Sequence, residues 1–183
     1  MIDTGGDLHL ESVSTGDTSA GTVNYYFELT DPPEIGYMYK IRQARDFGAS
    51  LNETLLNVEL IPSNPIHGCS KLENVRYVKK NIALVERGGC SFLSKTINAE
   101  MAGAVAVIIM DNDHSNYDRF IDMIQDETNR RTMLPAYFLL GKDGIIIRRT
   151  LEQKHLHGAL INIPLNLSLV PLHKRRLPPW TIW

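Results

Sequence analysis

The sequence is short of three things: cysteine, net charge and long apolar runs. Cys69 and Cys90 are its two cysteines, so at most one internal disulfide is available. In a reducing compartment they would be free thiols, and in an oxidising one they can pair. Lys and Arg number 19 against 21 Asp and Glu, a formal charge of -2. That balance gives no reason to expect nucleic acid or an anionic membrane as partner. The longest apolar run, Ala102 to Met110, is too short to cross a bilayer. Met1 to Gly21 is polar, without a basic or apolar stretch of the secretory kind, and does not act as a signal as written. The chain is then cytosolic, or its signal is absent from this sequence.

What is present suits one domain with a real core: 183 residues, 43% of them hydrophobic. Residues 1–21, rich in Gly, Ser, Thr and Asp, read as a disordered leader. Strands are expected at Val23–Leu29, Tyr37–Ile41 and Leu55–Ile61, each followed by proline or a Gly-containing loop. Ile82–Val85 is a continuous apolar run of the kind buried on both faces. Arg87-Gly88-Gly89 forces a turn. A helix follows, with Ser91 as N-cap, Leu93, Ile97 and Met101 as its apolar stripe, and Gly103 as its stop. Ala104–Met110 is a second buried strand, so the unit is strand–helix–strand with a parallel pair. Phe120–Ile124 has the pattern of a short helix, and Leu134–Leu140 that of a strand. Ile145–His155 is ambiguous, with three consecutive isoleucines followed by good helix formers. Ala159–Leu169 reads as a last strand interrupted by Pro164. The result is a mixed α/β domain dominated by sheet.

No catalytic frame emerges. His9, His67, His114, His155, His157 and His173 lie mostly in polar or turn-like segments, and none falls in a G-x-S-x-G, H-E-x-x-H or C-x-x-C frame. Gly88-Gly89 is not a phosphate loop, because the Lys/Ser of that motif is missing. Asp111–Asp122 puts Asp111, Asp113, Ser115 and Asp122 at positions 1, 3, 5 and 12 of a calcium-type loop. However, Asn116 replaces the turn glycine, Asp122 is shorter than the usual Glu, and a strand precedes it. A solvated acidic loop is the expectation, with no metal and no cofactor. Asn52-Glu53-Thr54 and Asn166-Leu167-Ser168 fit the glycosylation acceptor pattern. The tail from His173 is basic, then rich in proline and tryptophan. Trp180 and Trp183 should dock on the domain or on a partner.

Ile82-Ala83-Leu84-Val85-Glu86-Arg87-Gly88-Gly89-Cys90-Ser91-Phe92-Leu93-Ser94-Lys95, with Ala102-Gly103-Ala104, Leu134-Pro135-Ala136 and Lys142-Asp143-Gly144 in register behind it, resembles the signature of the protease-associated (PA) domain family. The resemblance covers residues 55–165, inside a domain spanning 22–170, with 171–183 as a tail. Arg45-Asp46-Phe47-Gly48 and Pro178-Pro179-Trp180-Thr181-Ile182-Trp183 are similar to the flanks of a small secreted glycoprotein in which such a domain stands alone.

The resemblance implies a curved β-sheet assembly, a β-sandwich or open barrel with short flanking helices, that is not itself a protease. It also implies a disulfide between Cys69 and Cys90, contributing about 3 kcal/mol for a loop of this size. Against this stands a reactive Cys90 thiol at the start of a helix, where the dipole would lower its pKa. The expected function is a non-catalytic secreted or lumenal glycoprotein that binds a protein or peptide. The alternative is a regulatory subunit or inhibitor docking on a protease. Glycosylation is expected at Asn52 and Asn166.

Overall fold

The computed structural model describes residues 24–181; the expected leader and Trp183 lie outside them. Seven strands form a closed barrel: β1 (Asn24–Asp31), β2 (Met38–Gln43), β3 (Leu55–Pro62), β4 (Ile82–Glu86), β5 (Ala106–Met110), β6 (Ala136–Leu139) and β7 (Ala159–Leu165). Their order around the barrel is β1-β2-β6-β5-β4-β3-β7, closed by antiparallel pairing of β7 with β1. Strands β3, β4, β5 and β6 run parallel, with Ile82 opposite Ala106 and Met110 opposite Leu139. The expected curved, sheet-dominated assembly is found, and it is closed rather than open because β1, at the start of the described residues, pairs with β7.

Alternation along the strands separates two cores. Phe27, Tyr39, Leu60, Ile82, Ile108, Tyr137 and Ile161 belong to one buried cluster to which every strand contributes. Only a barrel interior is shared by all seven strands. The intervening residues of β4–β6, among them Ala83, Val85, Val107, Ile109 and Phe138, form the second cluster. This cluster is covered by α2 (Phe92–Met101) and by loops. The continuous apolar composition of β4 and β5 follows from having a core on each side.

Helix α2 starts where Ser91 accepts a hydrogen bond from the Ser94 N–H at 3.0 Å. Its buried face is Leu93, Lys95, Thr96 and Ala99, which shares Leu93 with the expected stripe but is rotated about the helix axis away from Ile97 and Met101, and Met101 is 76% exposed. A one-turn helix, α1 (Val75–Val78), precedes β4. The ambiguous isoleucine segment is helical: α3 runs Gly141–Gln153. Ile145, Ile147 and Leu151 join the interior cluster, and Arg148 pairs with Glu152 one turn on.

No helix forms at Phe120–Ile124. Its groups bond to distant partners instead: the Phe120 carbonyl to Arg42, the Met123 carbonyl to the Arg45 N–H and the Gln125 N–H to Asp46. Strand β7 passes through Pro164 and ends at Leu165, short of the expected Leu169. The Asn166 side chain then caps a 3-10 turn.

Candidate functional site: a loop rim beside the disulfide

Four parallel strands end on one rim of the barrel, so the segments after β3 (63–74), β4 (87–91), β5 (111–135) and β6 converge there, together with the N-termini of α2 and α3. Between β4 and α2 the chain reverses through Gly88 and Gly89, at φ of 108° and 82°. Most residues avoid this left-handed region, and glycine enters it freely. The turn brings Cys90 against Cys69, and the two are joined in a disulfide with Cα atoms 5.7 Å apart.

Beneath the disulfide lies a lysine. Lys95 is fully buried, and its Nζ donates to the carbonyls of His67 at 2.6 Å and Gly88 at 2.5 Å. Burial pushes its pKa down to about 8, against a weaker upward pull from Glu86. On the same helix, Ser91 donates to Asp126 at 2.6 Å, and Arg130 pairs with Asp126 at 2.7 Å. The Ser91 hydroxyl, with Thr128, holds the Asp126 carboxyl well below the usual range. A carboxylate from the 111–135 segment is thus locked to the N-terminus of α2.

The acidic segment after β5 is folded onto the rim. Buried Asp111 pairs with Arg87 at 3.2 Å and accepts from Asn116 at 2.7 Å. Asp113 accepts from the Ser115 N–H and hydroxyl, and Asp122 pairs with Arg42. The four candidate calcium ligands are therefore distributed among local partners, and no group of three metal-ligating side chains occurs among the described residues. Between Arg87, Asn112, Asp113, Arg119, Phe120 and Ile121 lies an open cleft of about 450 Å³.

Among the described residues the one side-chain hydrogen bond made by a histidine ring joins His114 to Glu86 at 3.4 Å, so no hydroxyl or thiol there is hydrogen-bonded to a histidine. Glu86 also accepts from Arg148 at 2.9 Å. The sequons lie together elsewhere. Asn52 and Asn166 are both exposed and line one cleft with Tyr25, Thr54 and Leu169. Trp180 docks on the domain: its Nε1 donates to Asp143 at 2.6 Å and its ring meets Tyr37 edge-on. Burial raises the Asp143 pKa to about 6, opposed by the Trp180 bond and by Lys142.

Lys95 and Asp126 escaped sequence reasoning. A lysine is assigned to solvent by default. The one hint was the place of Lys95 inside the signature block, since two positions after Leu93 on a helix is ordinarily the opposite face.

The PA domain matches residues 56–147, half of the chain. A Drosophila melanogaster protein, PRADC1-like protein, is 44% identical over 173 residues, covering 93% of this chain and 87% of its own length. The ER degradation-enhancing alpha-mannosidase-like protein 3 of Xenopus laevis is 29% identical over 66% of this chain, but this chain spans 14% of its length. Among solved structures, an aminopeptidase from Aneurinibacillus sp. strain AM-1 superposes with a TM-score of 0.53 at 19% identity, over 76% of this chain and 30% of the enzyme. That likeness concerns the fold alone. By the extent of the first two matches, the chain belongs to the PA domain family.

Proposed function

We propose that this chain is a non-catalytic secreted or lumenal glycoprotein whose lone PA domain binds a protein or peptide through the loop rim. The observation that carries the reading is the open cleft of about 450 Å³ over the C-terminal ends of β4 and β5. Ligand sites of sheets with parallel strands lie characteristically at that end. The cleft offers amide and guanidinium donors from Asn112 and Arg119 beside apolar Phe120 and Ile121, a mixture suited to an extended peptide segment. Barrel closure leaves no open sheet edge among the described residues, so recognition uses side chains rather than addition of a strand.

No helix among the described residues is long and apolar enough to cross a membrane. Placement in the secretory pathway is supported by the two exposed sequons, by the disulfide and by a relative named for degradation at the ER.

A random peptide library presented to the purified protein tests the binding reading. Wild type should retain a subset of peptides, and R119E, altering a side chain 79% exposed, should weaken them about tenfold. Cleavage of library peptides would overturn the non-catalytic reading. Stable capture of a peptidase by the wild-type rim would favour docking on a protease instead. Expression from the native transcript, followed by endoglycosidase, should give a gel shift that N52Q and N166Q together remove.

A further inference from the structure

The surroundings of Lys95 do not match a purely structural disulfide. Its ammonium has three neighbours: the His67 carbonyl at 2.6 Å, the Gly88 carbonyl at 2.5 Å and Cys69 Sγ at 3.6 Å. None carries negative charge. Lys95 makes no ion pair among the described residues, and Glu86, the carboxylate whose charge acts on it, is itself bonded to Arg148 and His114. A buried cation without a counter-ion is unfavourable. Here it is held against a sulfur that is neutral while the disulfide is intact. Reduction would make that sulfur an anion and supply the missing partner.

Two further observations concern access and direction. Cys69 is exposed and Cys90 half-buried, so neither cysteine is closed to a small thiol, and which sulfur is attacked is set by which one leaves more readily. A side chain at Gly89 would have its Cβ 3.2 Å from Cys69 Sγ, so glycine there leaves the sulfur uncovered. Cys90 immediately precedes the N-cap of α2, but Asp126 already occupies that helix end. Its carboxylate offsets the help that the helix would give a Cys90 thiolate. The two sulfurs are therefore unequal, and Cys69 is the better leaving group.

We propose that Cys69–Cys90 is a thiol–disulfide exchange site for a low-molecular-weight thiol, with Cys69 as the leaving sulfur and the buried Lys95 ammonium as the group that receives its charge. An incoming thiolate attacks Cys90 Sγ. A new S–S bond forms to Cys90 as the Cys69–Cys90 bond breaks, and the electron pair leaves on Cys69 beside Lys95. A second thiolate attacks the small-thiol sulfur of this mixed disulfide, releasing the oxidised dimer of the small thiol and a Cys90 thiolate that takes a proton from water. Two thiolates are oxidised by two electrons in all, and the protein disulfide is reduced to a Cys69 thiolate and a Cys90 thiol. This chemistry is independent of what the loop rim binds.

The probe is glutathione, applied to the native full chain without denaturant and followed by alkylation and mass spectrometry. Both cysteines should become alkylated at millimolar reduced glutathione, with the mixed disulfide on Cys90. K95M should make reduction about tenfold less favourable, a shift of about 30 mV. A second measurement does not depend on how K95M folds. In C90A with Lys95 intact, the Cys69 thiolate, read by its ultraviolet absorbance, should titrate at least one pH unit below the ordinary thiol value of about 8.5. A disulfide inert to glutathione in the folded protein, an adduct on Cys69, or a Cys69 thiol titrating at the ordinary value would each overturn the proposal.

Discussion

Asp143 is 1% exposed at the start of α3, and its side-chain hydrogen bond comes from Trp180 at 2.6 Å. Burial lifts its folded pKa from 3.8 to about 6. A carboxyl raised in the folded state holds its proton through that window while the unfolded chain releases it, so its contribution to stability falls as pH rises from about 4 to about 6. Asp126, held well below the usual range, acts in the opposite sense: its contribution is present above pH 4 and is lost below it. The two overlap in a wild-type curve, so the comparison with D143N is the informative one. Asn keeps an acceptor for Trp180 and removes the buried charge. D143N should be more stable than wild type at pH 7, by an amount on the order of 3 kcal/mol or less, and the difference should shrink toward pH 4. Urea denaturation at several pH values measures it, and a constant difference would contradict the assignment.

At the scale of elements, the loop rim is held by helix starts. Ser91 caps α2 and also binds Asp126, so S91A should cost about 1 to 2 kcal/mol by urea midpoint. The start of α3 is set by close approach. A Cβ at Gly141 would lie 1.9 Å from the Asp113 carbonyl oxygen, and one at Gly144 would lie 2.5 Å from Met110 Cβ. G141A should therefore cost at least about 3 kcal/mol or prevent folding. R149A, on the exposed face of the same helix, should change stability by less than about 0.5 kcal/mol. These contacts also explain why Ile145–Ile147 is helical despite its β-branched run. The preference of isoleucine for strands is weak, and seating Ile145, Ile147 and Leu151 in the interior cluster outweighs it.

Across the whole molecule, closure is the long-range event. Thr30 bonds to the Leu160 carbonyl across 130 positions, and β7 pairs with both β1 and β3. Truncation after Gly158 removes β7, opens the barrel on both sides and should abolish the cooperative thermal transition followed by circular dichroism. Truncation after Val170 removes only the segment that bonds Arg176 to Met38 and Trp180 to Asp143. The barrel should remain, with a lower midpoint.

The strand–turn–helix–strand order from Ile82 to Met110 was legible in the sequence, though not which face of α2 is buried. A strand buried on both faces must be apolar throughout, a reversal of this kind needs glycine, and a helix start favours serine. Such features are local, and local preference is written in neighbouring residues. The sequon positions and the docking of Trp180 were also within reach, because composition alone makes an exposed tryptophan unfavourable. Barrel closure was not legible, since nothing in the residues near Asn24 or Leu165 names the partner on the far side of the chain. The setting of Lys95 was hidden for the same reason. Its helix position says nothing of the two carbonyls and the disulfide sulfur that the turn at Gly88-Gly89 and the loop at His67 bring over it. Tertiary structure decided that a residue ordinarily given to solvent lies buried under the one disulfide, and so which sulfur has a cation beside it.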